Sequence, residues 1–208
     1  MRELSEDRTP DRREQRRSEL LDAAMRVFVR DGFAKAKIED VAAEAGMGKG
    51  TVYLYADSKE GLLKDVVRQR VLPILSEVES MGAGHDGSMV NLLKMQVRRF
   101  FREILKDERR DLMFLILSEG THHPEISAFY SQNVIIRAQK IIRTTLSEGI
   151  RRGEFRDLQV EKLPRSILGG VMATAMWRLF FPDQKDHETE AFCEQHLDVV
   201  LNGLLPRE

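Results

Sequence analysis

Apolar residues recur at intervals of three and four along almost the whole chain, and no segment alternates convincingly enough to read as a strand. Leu20, Leu21, Ala24, Val27 and Phe28 share one face of a helix over 14–31, which Gly32 ends. Ile38, Val41, Ala42 and Ala45 follow i, i+3, i+4, i+7, with Glu39, Asp40 and Glu44 on the opposite face. Gly46 sits where a left-handed helix exit wants glycine, and Met47 plugs the gap before a second short helix that starts near Gly48–Lys49. In that helix Val52 points inward, while Lys49, Gly50, Thr51 and Tyr53 point outward. Ser58 is placed to cap a helix over 58–80, kinked by Pro73. After the loop GAGHDG (82–87), the pattern predicts helices over 88–106, 109–119 (apolar nearly all round), 124 to about 152, 164–181 and 187–204. Pro124 and Pro164 stand at helix starts, and Gly153 and Pro182 at helix ends. That makes an all-α chain of about nine helices.

Residues 38–60, two short helices joined by a glycine-containing turn with a second turn opening a third helix, read as a helix-turn-helix, which lays a short helix in the major groove of double-stranded DNA. Lys49 offers charge, Thr51 and Tyr53 offer hydroxyls, and Gly50 permits close backbone approach to phosphate. The alternative for GMGKG (46–50), a phosphate-binding loop, lacks both the preceding strand and the Gly-Lys-Ser/Thr ending.

With its flanks, this segment resembles the N-terminal domain of the TetR family of bacterial transcriptional regulators. The matching stretches are LLDAAMRVFVRDGF (20–33), IEDVAAEAG (38–46), KGTVYLY (49–55) and SKEGLL (58–63), in the family's order and spacing. The resemblance covers about a quarter of the chain and puts Gly48, Lys49, Gly50, Thr51 and Tyr53 on the recognition helix, with Tyr55 and Lys59 at phosphate-contacting positions. Four residues depart from the family: Ala36 and Lys37 stand where a Ser or Thr is usual before the second helix, Gly48 replaces Ser, and Ala56 replaces a bulky aromatic. A lost Ser cap costs about 1 kcal/mol when replaced by Ala and less when replaced by Gly; Lys37 offers a phosphate contact instead.

Composition narrows the reading. The net charge of −1 excludes a globally basic DNA binder, so DNA-facing charge must be local: the run RREQRR (12–17), including Arg17, with Lys37, Lys49 and Lys59. The polar start, MRELSEDRTPDRREQRR, reads against a signal peptide, and the apolar run LMFLIL (112–117) is far too short to span a bilayer. A cytoplasmic protein is expected. The single cysteine, Cys193, allows no internal disulfide and reads as a small buried hydrophobe.

The C-terminal part supplies assembly and control. The stretch SILGGVMATAMWRLFF is rich in small residues (Gly169, Gly170, Ala173 and Ala175), and the last helix offers Phe192, His196, Val199, Val200 and Leu204. Helices at about 164–181 and 187–204 are expected to form a four-helix bundle across a twofold axis in a homodimer. Met95, Phe100, Met113, Phe114, Phe129, Tyr130, Met176 and Trp177 are candidate linings of a ligand chamber; each alone is more often ordinary core, and the family resemblance is what implies a cavity. Their character implies a mostly apolar small-molecule effector.

Enzyme chemistry is not expected. The five histidines lack zinc-protease spacing, and Cys193 has no partner motif. His122 and His123 with Glu119 could meet a metal, but loop histidines are usually solvated, so no metal and no cofactor is expected. The expectation is an all-α protein in two parts. Residues 1–57 form a three-helix DNA-binding domain whose first twelve residues are a disordered arm, and 58–208 form a ligand-binding and dimerisation domain. Function follows as a repressor released from a palindromic operator by an effector. The alternative is a DNA-binding dimer without an effector, controlled by a protein partner or acting in chromosome organisation.

Overall fold

The computed structural model describes residues 10–181 and 189–206. Among these there is no strand. Three helices open the chain: α1 (Pro10–Asp31), α2 (Ile38–Glu44) and α3 (Lys49–Val52). They are followed by α4 (Lys59–Arg70), α5 (Leu72–Ser80), α6 (Met89–Ile104), α7 (Asp107–Glu119) and α8 (Pro124–Tyr130). A π-helical turn (Ser131–Ile135) leads into α9 (Ile136–Arg151), α10 (Leu163–Phe180) and α11 (Thr189–Leu204).

The expected helices are all present among the described residues, and two of them are divided. The 58–80 helix breaks at Val71, two residues before Pro73, whose missing N–H and bulky ring cannot continue the ladder to the carbonyl four residues back. The 124–152 helix is interrupted by the π turn, one extra residue wound into the ladder. The first helix starts earlier than expected: residues 10–12, assigned to a disordered arm, are helical, with Pro10 at the start and Asp11 in the first turn, where both residue types are favoured. Residues 1–9 of that arm, and Pro182 with residues 187–188 of the last expected helix, lie outside the described residues.

The chain forms two compact units. The first comprises the chain up to Val71 with Asp111–Tyr130; the second comprises Leu72–Arg110 with the chain from Ser131 onward. In the first, α1 packs against α2 and α4 and α2 against α3, and Leu20, Leu21, Ala24, Val27 and Phe28 of α1, Val41 and Ala42 of α2, Val52 of α3 and Leu62, Leu63, Val66 and Val67 of α4 are all buried. Each large apolar side chain so buried stabilises by about 1.5–3 kcal/mol. Polar contacts fix the same helices from outside. Arg17 pairs with Asp65 at 3.0 Å, Gln69 donates to Ser18 at 2.7 Å and Arg70 pairs with Asp22, so α4 is held along α1. Arg26 and Arg30 both reach Glu44, at 2.8 and 3.2 Å, and hold α2.

In the second unit the core runs through Leu92, Leu93, Val97 and Phe101 of α6 and Ile141, Ile142 and Leu146 of α9, under α10 and α11. A buried hydrogen bond of 2.8 Å from Thr145 to Gln96 joins α9 to α6. The Gly153–Glu154–Phe155 turn closes this unit. Gly153 adopts φ +75°, which turns the chain out of α9. Glu154 accepts hydrogen bonds from the Ser88 hydroxyl (2.6 Å) and the Met89 and Val90 amides (3.1 and 3.4 Å), capping α6 from a distant segment. The Phe155 ring lies so close to Gly149 that a Cβ there would collide with it. Arg156 donates to the Gly203 carbonyl at 2.7 Å, at the end of α11.

Glu103 is a buried carboxylate, 4% exposed, that accepts from Arg99, Lys106 (2.8 Å) and Arg109. Burial pushes its pKa up, but the Lys106 and Arg99 hydrogen bonds and the nearby guanidinium charges outweigh burial, and the net shift is downward.

Candidate nucleic-acid interface

The turn between α2 and α3 is built from a few local bonds. Gly46 takes φ +62°, the left-handed conformation that reverses the chain out of α2. The Met47 amide donates to the Ala42 carbonyl at 2.8 Å and closes the turn. Gly48, extended at φ −70° and ψ 145°, starts α3 without a side-chain cap, as its sequence implies. At α2 the missing cap is half replaced: Lys37 has no side-chain acceptor, but Asp40 accepts the Lys37 amide at 3.1 Å, the return half of a capping box. Ser58 caps α4 as expected, accepting from the Gly61 amide at 2.9 Å. Ala56, where an aromatic is usual in the family, is buried by its small side chain.

α3 itself is four residues long and continues through Tyr53 to Ala56 in tight turns. Val52 is buried beneath it, while Gly48, Lys49, Gly50 and Tyr53 are exposed and Thr51 and Tyr55 half-buried. Lys37 and its neighbour Lys35 are also exposed on the loop before α2. Lys49 is engaged in the free chain: its ammonium lies 2.5 Å from Glu39, which raises the lysine pKa and lowers that of the glutamate through their hydrogen bond.

Two expected phosphate contacts hold other posts. Lys59 donates to the carbonyls of Phe33 (2.6 Å), Ala34 (3.4 Å) and Ala36 (3.0 Å) and lies over the Phe33 ring, so all three ammonium donors are engaged within the chain. It ties the loop leading into α2 to the start of α4. Arg17 is likewise held by Asp65, and sequence spacing gave no sign of a carboxylate 48 residues away.

A helix pair of this geometry, presenting a cation, two phenols and glycine-lined backbone on one side of a self-contained core, is the reading head of a DNA-binding transcriptional regulator. Residues 20–66 match the family described as bacterial regulatory proteins, tetR family, and this N-terminal part of the chain belongs to it. A similar protein is the fatty acid metabolism regulator protein of Bacillus subtilis, 20% identical over 187 residues that cover 89% of this chain and 94% of that protein. Among solved structures, a putative transcriptional regulator from Saccharomonospora viridis in complex with choline aligns at a TM-score of 0.77 and 18% identity, over 93% of this chain and 100% of that one. The FadR regulator of Bacillus subtilis in complex with stearoyl-CoA aligns at 0.70 and 22%, over 89% and 98%. Their fold is the fold of this chain.

The expected chamber residues are distributed over both units. Met113, Phe114, Phe129 and Tyr130 belong to the first, where Met113 and Tyr130 are buried. Met95, Phe100, Met176 and Trp177 belong to the second, where Phe100 is buried and the other three are exposed. None of the eight lines the recess of about 390 Å³ in the second unit, formed by α6, α10 and α11. Its walls include Phe101, Leu105 and Cys193, with Arg102, Lys106, Arg178, Glu190 and the paired Arg98 and Glu194 around them. Cys193 is buried, and burial pushes its thiol up to about 11, so it stays protonated and unreactive at neutral pH.

On α10, Gly169, Ala173, Met176, Trp177 and Phe180 form an exposed stripe at helical spacing; on α11, Phe192, Gln195, Val199 and Asn202 do the same. Gly170, grouped in the sequence with the subunit contact, instead serves the chain's own packing. A Cβ there would fall 2.5 Å from the His196 ring, whose Nε2 lies 2.8 Å from the Ile167 carbonyl. Leu204, similarly, is buried within the chain. Among the described residues no helix is long and apolar enough to cross a membrane.

Proposed function

We propose that this chain is a homodimeric repressor that binds a palindromic operator through residues 1–57 and releases it when 58–208 bind a small molecule. The helix-turn-helix carries the reading. Lys49, Thr51 and Tyr53 reach the major groove, Tyr55 and Lys37 contact phosphate, and Gly48 and Gly50 let the backbone approach. Arg17 and Lys59 position α1, α4 and the loop before α2. Two such heads on a twofold axis imply half-sites about one helical turn, or a multiple, apart. The exposed stripes on α10 and α11 are the subunit contact.

The effector has an apolar body and an acidic end. The recess combines phenyl and leucyl walls with four cations, Arg98, Arg102, Lys106 and Arg178, against two carboxylates, Glu190 and Glu194; Arg98 is paired with Glu194, and the remaining excess of positive charge favours an anion over a cation such as choline. The stearoyl-CoA held by the Bacillus subtilis FadR structure has this chemistry: a long chain with phosphates. Selecting genomic fragments with the purified protein, then titrating the complex with fatty acyl-CoA, free fatty acid and sterol, tests the reading. Acyl-CoA should release the operator in wild-type protein and far less in Arg102→Ala. Operator affinity indifferent to all three would favour control by a protein partner.

A further inference from the structure

Glu60, in the first turn of α4, and His123 and Glu125, at the start of α8, bring one ligand atom each within 4.8 Å of one another. The His123 Nδ1 lies 3.7 Å from a Glu125 carboxylate oxygen and 4.0 Å from one of Glu60. Both separations are too long for a hydrogen bond. They suit two ligands of a single ion with bonds of about 2.0–2.2 Å. The carboxylates are separately favoured where they stand, each in a first helical turn against the positive end of the helix. That preference places each on its own helix; it does not explain their convergence on one imidazole from chain positions 60 and more residues apart.

The imidazole is also held in place. The His123 ring packs edge-on against Phe33, centroids 5.0 Å apart and planes at 88°. Its backbone carbonyl accepts from the Ile126 amide at 3.0 Å, so the residue doubles as the cap of α8. A ligand whose ring and backbone are both fixed loses little freedom on binding. The partners differ from those the sequence suggested: Glu119 is not in the group, and Glu60 takes its place from across the fold.

We propose that Glu60, His123 and Glu125 bind a divalent first-row transition ion such as Zn²⁺, with water in the remaining positions. One imidazole with two carboxylates favours Zn²⁺, Co²⁺ or Ni²⁺ over Mg²⁺, which prefers oxygen alone. The ion clasps α8 to α4, next to Lys59 and the carbonyls it holds at the loop before α2. It therefore stiffens the unit that carries the helix-turn-helix.

The test uses the full-length, untagged protein after chelation, titrated with Zn²⁺ by calorimetry and with Co²⁺ by visible absorption. One ion per chain is expected, with a higher melting temperature at saturation and no response to Mg²⁺ at equal concentration. His123→Gln and Glu60→Gln should each weaken Zn²⁺ binding at least about tenfold, and His122→Gln should leave it unchanged. Melting of the metal-free variants separates lost ligation from lost folding, and exposed Glu125→Gln gives a third variant should either of the others fail to fold. Binding that survives His123→Gln, or the absence of binding below millimolar Zn²⁺, overturns the proposal.

Discussion

In the N-terminal unit Leu20, Val27 and Phe28 are wholly buried, whereas on α10 and α11 Met176, Trp177, Phe180, Phe192 and Val199 stand 42–71% exposed. The first surface is finished: its apolar side chains are used up in the core, and lysines, hydroxyls and glycines remain outside. The second leaves large apolar side chains at the surface, and exposed apolar surface on this scale is what contacts with other molecules use. Under the function proposed above, one face serves a polyanion and the other a copy of the chain, and the two are separable by mutation.

The largest effect should come from Trp177→Glu or Ala173→Glu. Both positions are exposed in the single chain, so the helical content should persist while sedimentation velocity shows monomers and operator binding falls by orders of magnitude. A dimer that survives both would remove α10 from the interface. Gly170→Leu sharpens the contrast: it drives into His196 of the same chain and should lower stability by about 1–3 kcal/mol through overpacking, measured by urea unfolding of the isolated chain on an Ala173→Glu background.

Next in size is Glu103, which the second unit keeps buried among three cations. Glu103→Ala should cost about 1–3 kcal/mol. Its carboxylate pKa is lowered on folding, so the stability it contributes is present above about pH 4.3, the ordinary value of a free glutamate, and is lost as pH falls below that. Chemical denaturation between pH 7 and 3 should show the decline in wild-type protein, and a shallower one in Glu103→Gln.

On the DNA face, Lys49→Ala should weaken operator binding about tenfold and lower the slope of log affinity against log salt by about one, with unchanged thermal melting. Fluorescence anisotropy at several salt concentrations gives both quantities. The smallest expected effect is Ser58→Ala, about 1 kcal/mol from the lost cap of α4.

The reading head was legible in the sequence because its determinants are local. Gly46, Ser58 and the i, i+3, i+4 spacing of Ile38, Val41 and Ala42 act within one or two turns, and each behaves as its type implies. Where a role depends on distant partners, spacing is silent. Arg17 and Lys59 look like free surface cations until Asp65 and the Phe33 and Ala36 carbonyls come beside them. Gly170 looks like a subunit contact until His196 faces it. The recess was missed for a related reason: its walls are ordinary helix-surface charges with Phe101, Leu105 and Cys193, brought together only when α6, α10 and α11 pack.

The cap that Glu154 places on α6 sets an order of assembly. Its bonds to Ser88, Met89 and Val90 span 66, 65 and 64 residues of chain. The first turn of α6 therefore has no cap until α9 has formed, turned at Gly153 and docked. Contacts closed over such a loop form late and slow folding, because chain entropy is lost before they reward it. The same turn is the place to expect earliest opening in the native state: when the end of α9 frays, the Met89 and Val90 amides lose their acceptor together, and hydrogen exchange there reports on a segment sixty residues away.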